Sequence, residues 1–414
     1  MALNNDTPCD APMTLFPYAL ACESHEARDM MNEFQYTGSA QEILFGPGAL
    51  AQLGEAVERW GWRRLMLCST GSQRRGGQIA QVERALGERL AATYERVQPH
   101  VPEAQVTEAL ALAQERMAEA IIGLGGGSPI GLAKAVSFGL EEQRSGKPAR
   151  PALPGDMPLV PVVAVPTTYA GSEMTPVYGV TRQVDGVARK ITVTDSRIAP
   201  RLVIYDPQLT LDLPPEMTAS TGINALAHCM EALYSITRNP LSTAAALGGL
   251  RSMMSALPRC YAAGDDLEAR GEMLSGAYLA GVALAHVSMA LHHGVCHVLG
   301  GTVGVPHGVA NSIILPHALR FNLEATAPQL AQAAEAMGIT RAGQSAAAAA
   351  EAAIERVEQL IGELRLPRRL RDAGVQEADL RHLAALALQS RAVQSNPRPV
   401  RDAAELEALL RAAW

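Results

Sequence analysis

The sequence predicts two unlike halves, an α/β half with a parallel sheet followed by an all-α half. From Phe34 to Tyr205, short apolar runs alternate with amphipathic stretches, the pattern of a parallel sheet covered by helices on both faces. Beyond Pro214 that alternation stops and helix follows helix. At 414 residues the chain also exceeds what one hydrophobic core usually supports. The boundary is placed near residue 206, giving an α/β domain over 34–206 and a helical domain over 207–414.

Residues 1–33 read as a disordered extension: their apolar run 13–22 lacks the cationic start of an export signal, since no Lys or Arg precedes Arg28. Residues 42–45 then predict a strand, 46–48 a turn and 50–60 a helix. Residues 64–68 are a buried strand ending at Ser69, followed by a helix over 79–90, a strand over 93–97 and a helix over 103–116. A strand over 120–124 runs straight into Gly125-Gly-Gly-Ser128. After a polar loop, the strand over 161–165 leads into Pro166-Thr-Thr-Tyr-Ala-Gly-Ser-Glu173, and 202–205 is the last strand. Helices are predicted over 218–235, 240–257, 266–285 and 345–364.

Composition narrows the function classes. With 48% apolar and 19% charged residues, the chain has the make-up of a folded globular protein. A net charge of −7 with no basic block argues against nucleic acid or an anionic membrane surface as a partner. No uncharged apolar run approaches the ~18 residues a membrane span needs. The six cysteines are scattered without CxxC spacing, as expected of reduced thiols in a cytoplasmic protein, and no zinc site is assigned to them.

Two constellations carry chemistry. Gly126, Gly127 and Ser128 stand between a buried strand and a helix, where glycine lets a pyrophosphate approach and the helix N-terminus offers N–H groups. Thr167, Thr168 and Ser172 cluster after the next strand, and with Lys134 and Ser69 they complete a candidate site for NADH or NADPH. The second constellation is polar sequence inside apolar helices. His293 and His297 are four apart, as are Asn224 and His228, so each pair shares a helix face; His307 is expected to enter from a loop. His292 points about 100° away from His293 and reads as packing, as does Cys296.

Taken in order, Gly-Gly-Gly-Ser-Pro-Ile-Gly-Leu-Ala-Lys134, Pro-Thr-Thr-Tyr-Ala-Gly-Ser-Glu-Met-Thr-Pro176, Gly-Ile-Asn-Ala-Leu-Ala-His228 and Leu-His-His-Gly-Val-Cys-His-Val-Leu-Gly-Gly301 resemble the iron-containing (group III) alcohol dehydrogenase superfamily. Within it, Asn224, Gly131 and the closing Asn396-Pro-Arg-Pro399 look most like the maleylacetate reductase branch. The resemblance implies the dehydroquinate synthase-like fold, an NAD(P)H-dependent oxidoreductase, a cleft site between the halves and a homodimer. It also implies that an Fe²⁺ or Zn²⁺ ion, where present, is held at Asn224, His228, His293 and His307. Metal-dependent relatives have an aspartate at the first of these places; the amide here brings no charge, which lowers affinity for a divalent cation.

The expected reaction is reduction of 2-maleylacetate to 3-oxoadipate, a small dicarboxylic enone as substrate. Protonated imidazoles of His228, His293, His297 and His307 would stabilise the enolate and donate a proton, with Lys190 and Arg320 as carboxylate contacts. The alternatives are a metal-dependent alcohol dehydrogenase acting on aldehydes, a dehydroquinate synthase-type lyase, and an inactive nucleotide-binding protein on the same fold.

Overall fold

Apolar runs that leave no room for a solvent face become the central strands of a parallel sheet. The computed structural model describes residues 34, 36, 38, 40–145, 160–184, 187–340 and 342–414, with backbone alone at 145, 183, 184 and 187–190. The extension predicted over 1–33 lies outside the described residues, and Tyr36–Trp414 form one compact unit.

In chain order the first half runs β1 (Glu42–Phe45), α1 (Leu53–Arg59), β2 (Leu65–Cys68), α2 (Gly71–Arg75), α3 (Gln78–Leu86), β3 (Leu90–Tyr94), α4 (Glu103–Glu115), β4 (Ala120–Gly125), α5 (Gly127–Ser145) and β5 (Val162–Pro166). An antiparallel hairpin, β6 (Val177–Val184) and β7 (Val187–Thr194), precedes β8 (Leu202–Tyr205). The six-stranded sheet has the order β1-β8-β5-β4-β2-β3 and every neighbour is parallel. Alternate residues feed two cores, as strand geometry requires. Leu65, Leu67, Ile122 and Leu124 pack with Leu53, Val57 and Ile79 of the helices on one face. Met66, Cys68 and Ile121 pack with Ala109, Leu132 and Val136 on the other.

Asp206 closes this half. Its buried carboxylate accepts from the backbone N–H groups of Gly48 (3.0 Å), Leu50 (3.1 Å) and Gln208 (3.0 Å), tying the turn after β1 to the end of β8.

The second half is helical: α6 (Pro215–Tyr234), α7 (Pro240–Ala262), α8 (Leu267–Ala285), α9 (Leu291–Val303), α10 (His307–Ala336), α11 (Ala346–Glu363), α12 (Leu380–Leu388), α13 (Arg391–Gln394) and α14 (Ala403–Ala412). Helix α6 is its axis, with every residue from Gly222 to Tyr234 buried. Small residues let its neighbours come close: a Cβ on Gly222 would lie 2.5 Å from Leu257 Cδ1. A helix buried all round cannot leave polar side chains without partners, so Asn224, His228 and Glu231 on α6 each need a structural reason.

Two expectations are corrected. The third strand starts at Leu90 rather than Thr93, because α3 stops at Leu86 and Gly87 turns the chain with φ 54°. The hairpin over 177–194 was not foreseen; its polar, partly exposed strands lack the apolar density of the sheet, although Asp185-Gly186 between two valines is a strong hairpin signal.

Candidate active site

The strand order reverses between β2 and β4, since β2 is followed by β3 on one side while β4 and its successors lie on the other. Open parallel sheets bind ligands at the carboxyl ends of strands flanking such a reversal. There β4 ends at Gly125, whose φ of 138° excludes other residues without strain, and α5 starts two residues later with its N-terminus at the crevice. Gly126 lies against the next loop: a Cβ on it would sit 3.1 Å from Thr168 Cγ2 and 3.2 Å from its Oγ1. Thr167 is held by its backbone N–H on Gly125 O at 3.0 Å, and its hydroxyl accepts from Gln73 Nε2 at 3.1 Å. The structure therefore brings Gly126, Gly127, Ser128, Thr167 and Thr168 to one place. Gln73 joins them from α2, a contact that no sequence motif marked.

Two predicted cofactor residues do a different job. Lys134 is fully buried, and its ammonium donates to the carbonyls of Ser172 (2.6 Å), Thr175 (2.7 Å) and Val177 (3.1 Å), fastening the loop after β5 rather than meeting a phosphate. Burial pulls this ammonium down to about 7, against the opposing pull of the buried Glu173 carboxylate. Ser69 donates its hydroxyl to Leu124 O at 2.9 Å, cross-tying β2 and β4 at the reversal point. Ser172 is placed by the Lys134 contact to its carbonyl, four residues beyond Thr168 on the same loop.

That loop reaches the helical half directly. Tyr169 N–H donates to Thr221 Oγ1 at 3.4 Å, and Ala170 O accepts from Asn224 Nδ2 at 3.3 Å. Gly171 adopts φ 75° where a Cβ would lie 3.4 Å from Gly281 Cα and 3.6 Å from His228 Nδ1. The five residues Thr167 to Gly171 thus span from the glycine loop to the imidazoles.

The imidazoles form one cluster. His228 stacks on His293 with ring centroids 4.7 Å apart. His293 lies 6.3 Å from His297 and 6.1 Å from His307, and those two stack at 5.7 Å. His228 and His293 are buried, His307 is half-buried and His297 is exposed. His307 does not come from a loop. It opens α10 immediately after Pro306, and the chain reverses from α9 at Gly304 (φ 71°), where only glycine is free of cost.

Burial and the neighbouring His293 and His292 push His228 well below the usual imidazole range, so it is neutral near pH 7 and not the proton donor expected of it. Burial likewise takes His292 down to about 3. His292 is more than packing: it and Glu231, which no sequence motif marks, contact His293 at Nδ1. Glu231 is seven residues from Asn224 on the same face of α6, and that spacing was the available signal. Cys296 packs against His292, with Sγ 3.6 Å from its Nε2.

Arg320 is not brought into the cluster. It pairs with Glu358 of α11, its Nη2 2.8 Å from Oε2, and lies thirteen residues along α10 from His307, about 20 Å at the helical rise. The side chain of Lys190, on β7, lies outside the described residues.

A glycine-bearing helix start at the reversal point of a parallel sheet, joined by one loop to imidazoles in a helical half, is the layout of a nicotinamide-dependent oxidoreductase. Comparison with known proteins agrees. The iron-containing alcohol dehydrogenase profile matches residues 40–207, and the profile of the Fe-containing alcohol dehydrogenase family C-terminal region matches 218–414. Maleylacetate reductase from Pseudomonas knackmussii is 40% identical over 374 residues, covering 90% of this chain and 95% of the relative. A solved 1,3-propanediol oxidoreductase superposes with a TM-score of 0.85 at 32% identity, covering 92% of this chain and 100% of its own. Maleylacetate reductase from Agrobacterium tumefaciens does so with a TM-score of 0.77 at 33% identity, covering 93% and 99%. The chain belongs to the iron-containing alcohol dehydrogenase family. It is an NAD(P)H-dependent oxidoreductase acting on a small molecule, and no described helix is long and apolar enough to cross a membrane.

The donors present fit a divalent ion in type: three imidazoles, and Asn224 Oδ1, which is buried without a hydrogen-bond partner. They supply no charge, which weakens such a site.

Proposed function

We propose that the chain reduces 2-maleylacetate to 3-oxoadipate with NADH or NADPH. Asn224 carries this reading. The side chain that α6 directs between the loop after β5 and His228 is a neutral amide, so a substrate with two carboxylates meets no negative charge there. The relatives named maleylacetate reductase support the same substrate.

Gly126, Thr167 and Thr168 would hold the nicotinamide cofactor, which when bound would supply a hydride for the substrate's C=C bond conjugated to the ketone. Charge then develops on the ketone oxygen as an enolate, and catalysis needs donors at that oxygen and an acid for the carbon. His297 and His307, the more exposed rings, are assigned the proton-donating role; buried, neutral His228 orients the substrate through its ring and through its stack on His293. Asn224 is held by Ala170 O, which keeps the amide in register with the cofactor loop. An Fe²⁺ or Zn²⁺ ion, if loaded, would be held by Asn224, His228, His293 and His307 and would add Lewis acidity at the ketone oxygen.

In this reading residues 34–206 form the cofactor domain and 207–414 the catalytic domain, in a homodimer. A cytoplasmic location is supported by the free thiols of Cys68, Cys229, Cys260 and Cys296. Oxidation of NADH and of NADPH is the test, with maleylacetate and with a panel of aldehydes as substrates. Turnover of maleylacetate in preference to aldehydes is expected; aldehyde turnover without maleylacetate reduction would replace this reading with an alcohol dehydrogenase.

A further inference from the structure

Three buried groups, Glu231 on α6 and His292 and His293 in the first turn of α9, are in mutual contact. Glu231 Oε2 lies 2.5 Å from His293 Nδ1, and Glu231 Oε1 accepts the backbone N–H of His292 at 3.0 Å. His292 Nδ1 is 3.2 Å from the same His293 Nδ1, and His292 Nε2 is 3.3 Å from Asn311 O. These three side chains have the atom types of a metal site, with ligand atoms within 4.8 Å of one another, but they are already bonded to each other.

A carbonyl oxygen only accepts, so His292 Nε2 carries its proton. Two N–H donors do not face each other at hydrogen-bond distance, so His292 and His293 cannot both be protonated at Nδ1. Placing the proton on His293 Nδ1 satisfies the Glu231 carboxylate and the His292 lone pair together; placing it on His292 would make that buried ring a cation and remove the donor from Glu231. We infer that Glu231 and His292 are positioning residues that lock His293 in the Nδ1–H form, delivering Nε2 as the nitrogen that works in the reaction.

The lock extends to the neighbouring helix. Asn311, whose carbonyl sets the His292 tautomer, donates its own amide to His307 O at 2.6 Å, so the start of α10 and the ring of His293 share one hydrogen-bonded chain. Orientation of an active imidazole by a carboxylate and a fixed tautomer is what such shells supply, and their loss typically costs 10–100-fold in activity.

The test uses the full chain labelled with ¹⁵N-histidine, His293 being assigned by loss of its resonances in His293→Gln. Long-range ¹H–¹⁵N correlations are expected to show His293 protonated at Nδ1. Glu231→Gln presents an amide NH₂ to one of two donors, and His293 is the one able to change, so its population should move towards Nε2–H. The rate arm rests on the maleylacetate reading. There Glu231→Gln should lower kcat 10–100-fold with KM for the nicotinamide unchanged within about twofold, and should add no further loss in the His293→Gln background. Nε2–H in the wild-type protein overturns the inference, as does a loss additive with His293→Gln. If the wild-type enzyme does not reduce maleylacetate, the function is wrong and the tautomer spectrum still decides this point. If Glu231→Gln does not fold, the wild-type spectrum decides it.

Discussion

Asn224 Nδ2 donates to Ala170 O at 3.3 Å, across the junction between the loop that follows β5 and the central helix of the second half. The two groups are 54 positions apart in sequence, yet this contact sets the cofactor loop against the imidazole cluster. The amide's other atom, Oδ1, is buried with no hydrogen-bond partner, so the residue is half structural and half available to chemistry.

Replacing that amide by a carboxylate tests its neutrality. Asn224→Asp removes the donor to Ala170 O and adds a charged oxygen one helical turn from His228. We expect zinc affinity, measured by calorimetry, to rise by about tenfold or more, and kcat/KM for maleylacetate to fall by a similar factor. Unchanged values of both would show that the charge at this position does not matter.

Lys134 should reveal itself through stability. Lys134→Met leaves the carbonyls of Ser172, Thr175 and Val177, the second of them buried, without this donor and should cost on the order of 2–4 kcal/mol in denaturant unfolding. The pH dependence has a definite sign. The folded value is held near 7 and the ordinary value is 10.5, so between them the unfolded chain binds more protons. Wild-type stability should therefore rise with pH from about 7 upward, and the variant should lack that component. A wild-type slope equal to the variant's would place the folded value near the ordinary one.

A Cβ on Gly126 would crowd Thr168, at 3.1 Å from Cγ2 and 3.2 Å from Oγ1, and would push that side chain by a few tenths of an ångström. Gly126→Ala should raise the dissociation constant for NADH by about tenfold, some 1.4 kcal/mol, in a fluorescence titration. The far-ultraviolet circular dichroism should not change. Wild-type affinity would remove the glycine loop from the cofactor site.

Arg320, paired with Glu358 and partly exposed, should be dispensable for chemistry. Arg320→Ala is expected to keep kcat and KM within about twofold and to change stability by no more than about 1 kcal/mol. A large rise in KM for maleylacetate would restore the carboxylate-contact role.

Much of the fold was legible because its strands are buried on both faces. Runs such as Ile121-Ile122 and Val162-Val163 admit few other readings, and the glycines after β4 announce their turn. The hairpin over 177–194 was hidden because partly exposed strands carry polar residues that read as loop. At the site, helical spacing found Asn224 with His228 and His293 with His297, but spacing cannot tell which polar residue on a face has a buried partner. Glu231 carries no motif of its own, and His292 reads as packing, because their importance lies in contacts between α6 and α9. Lys134 misled for the converse reason: a lysine on the helix that a glycine loop opens suggests a cofactor contact, and only the fold shows three carbonyls around its ammonium.

The most direct measurement is NAD(P)H oxidation by chelator-treated enzyme, verified metal-free by elemental analysis, with maleylacetate as the only substrate. We expect a rate within about twofold of the untreated enzyme, since a neutral amide and four imidazoles suffice for the chemistry. Loss of maleylacetate reduction on metal removal, restored by Fe²⁺ or Zn²⁺, would contradict it.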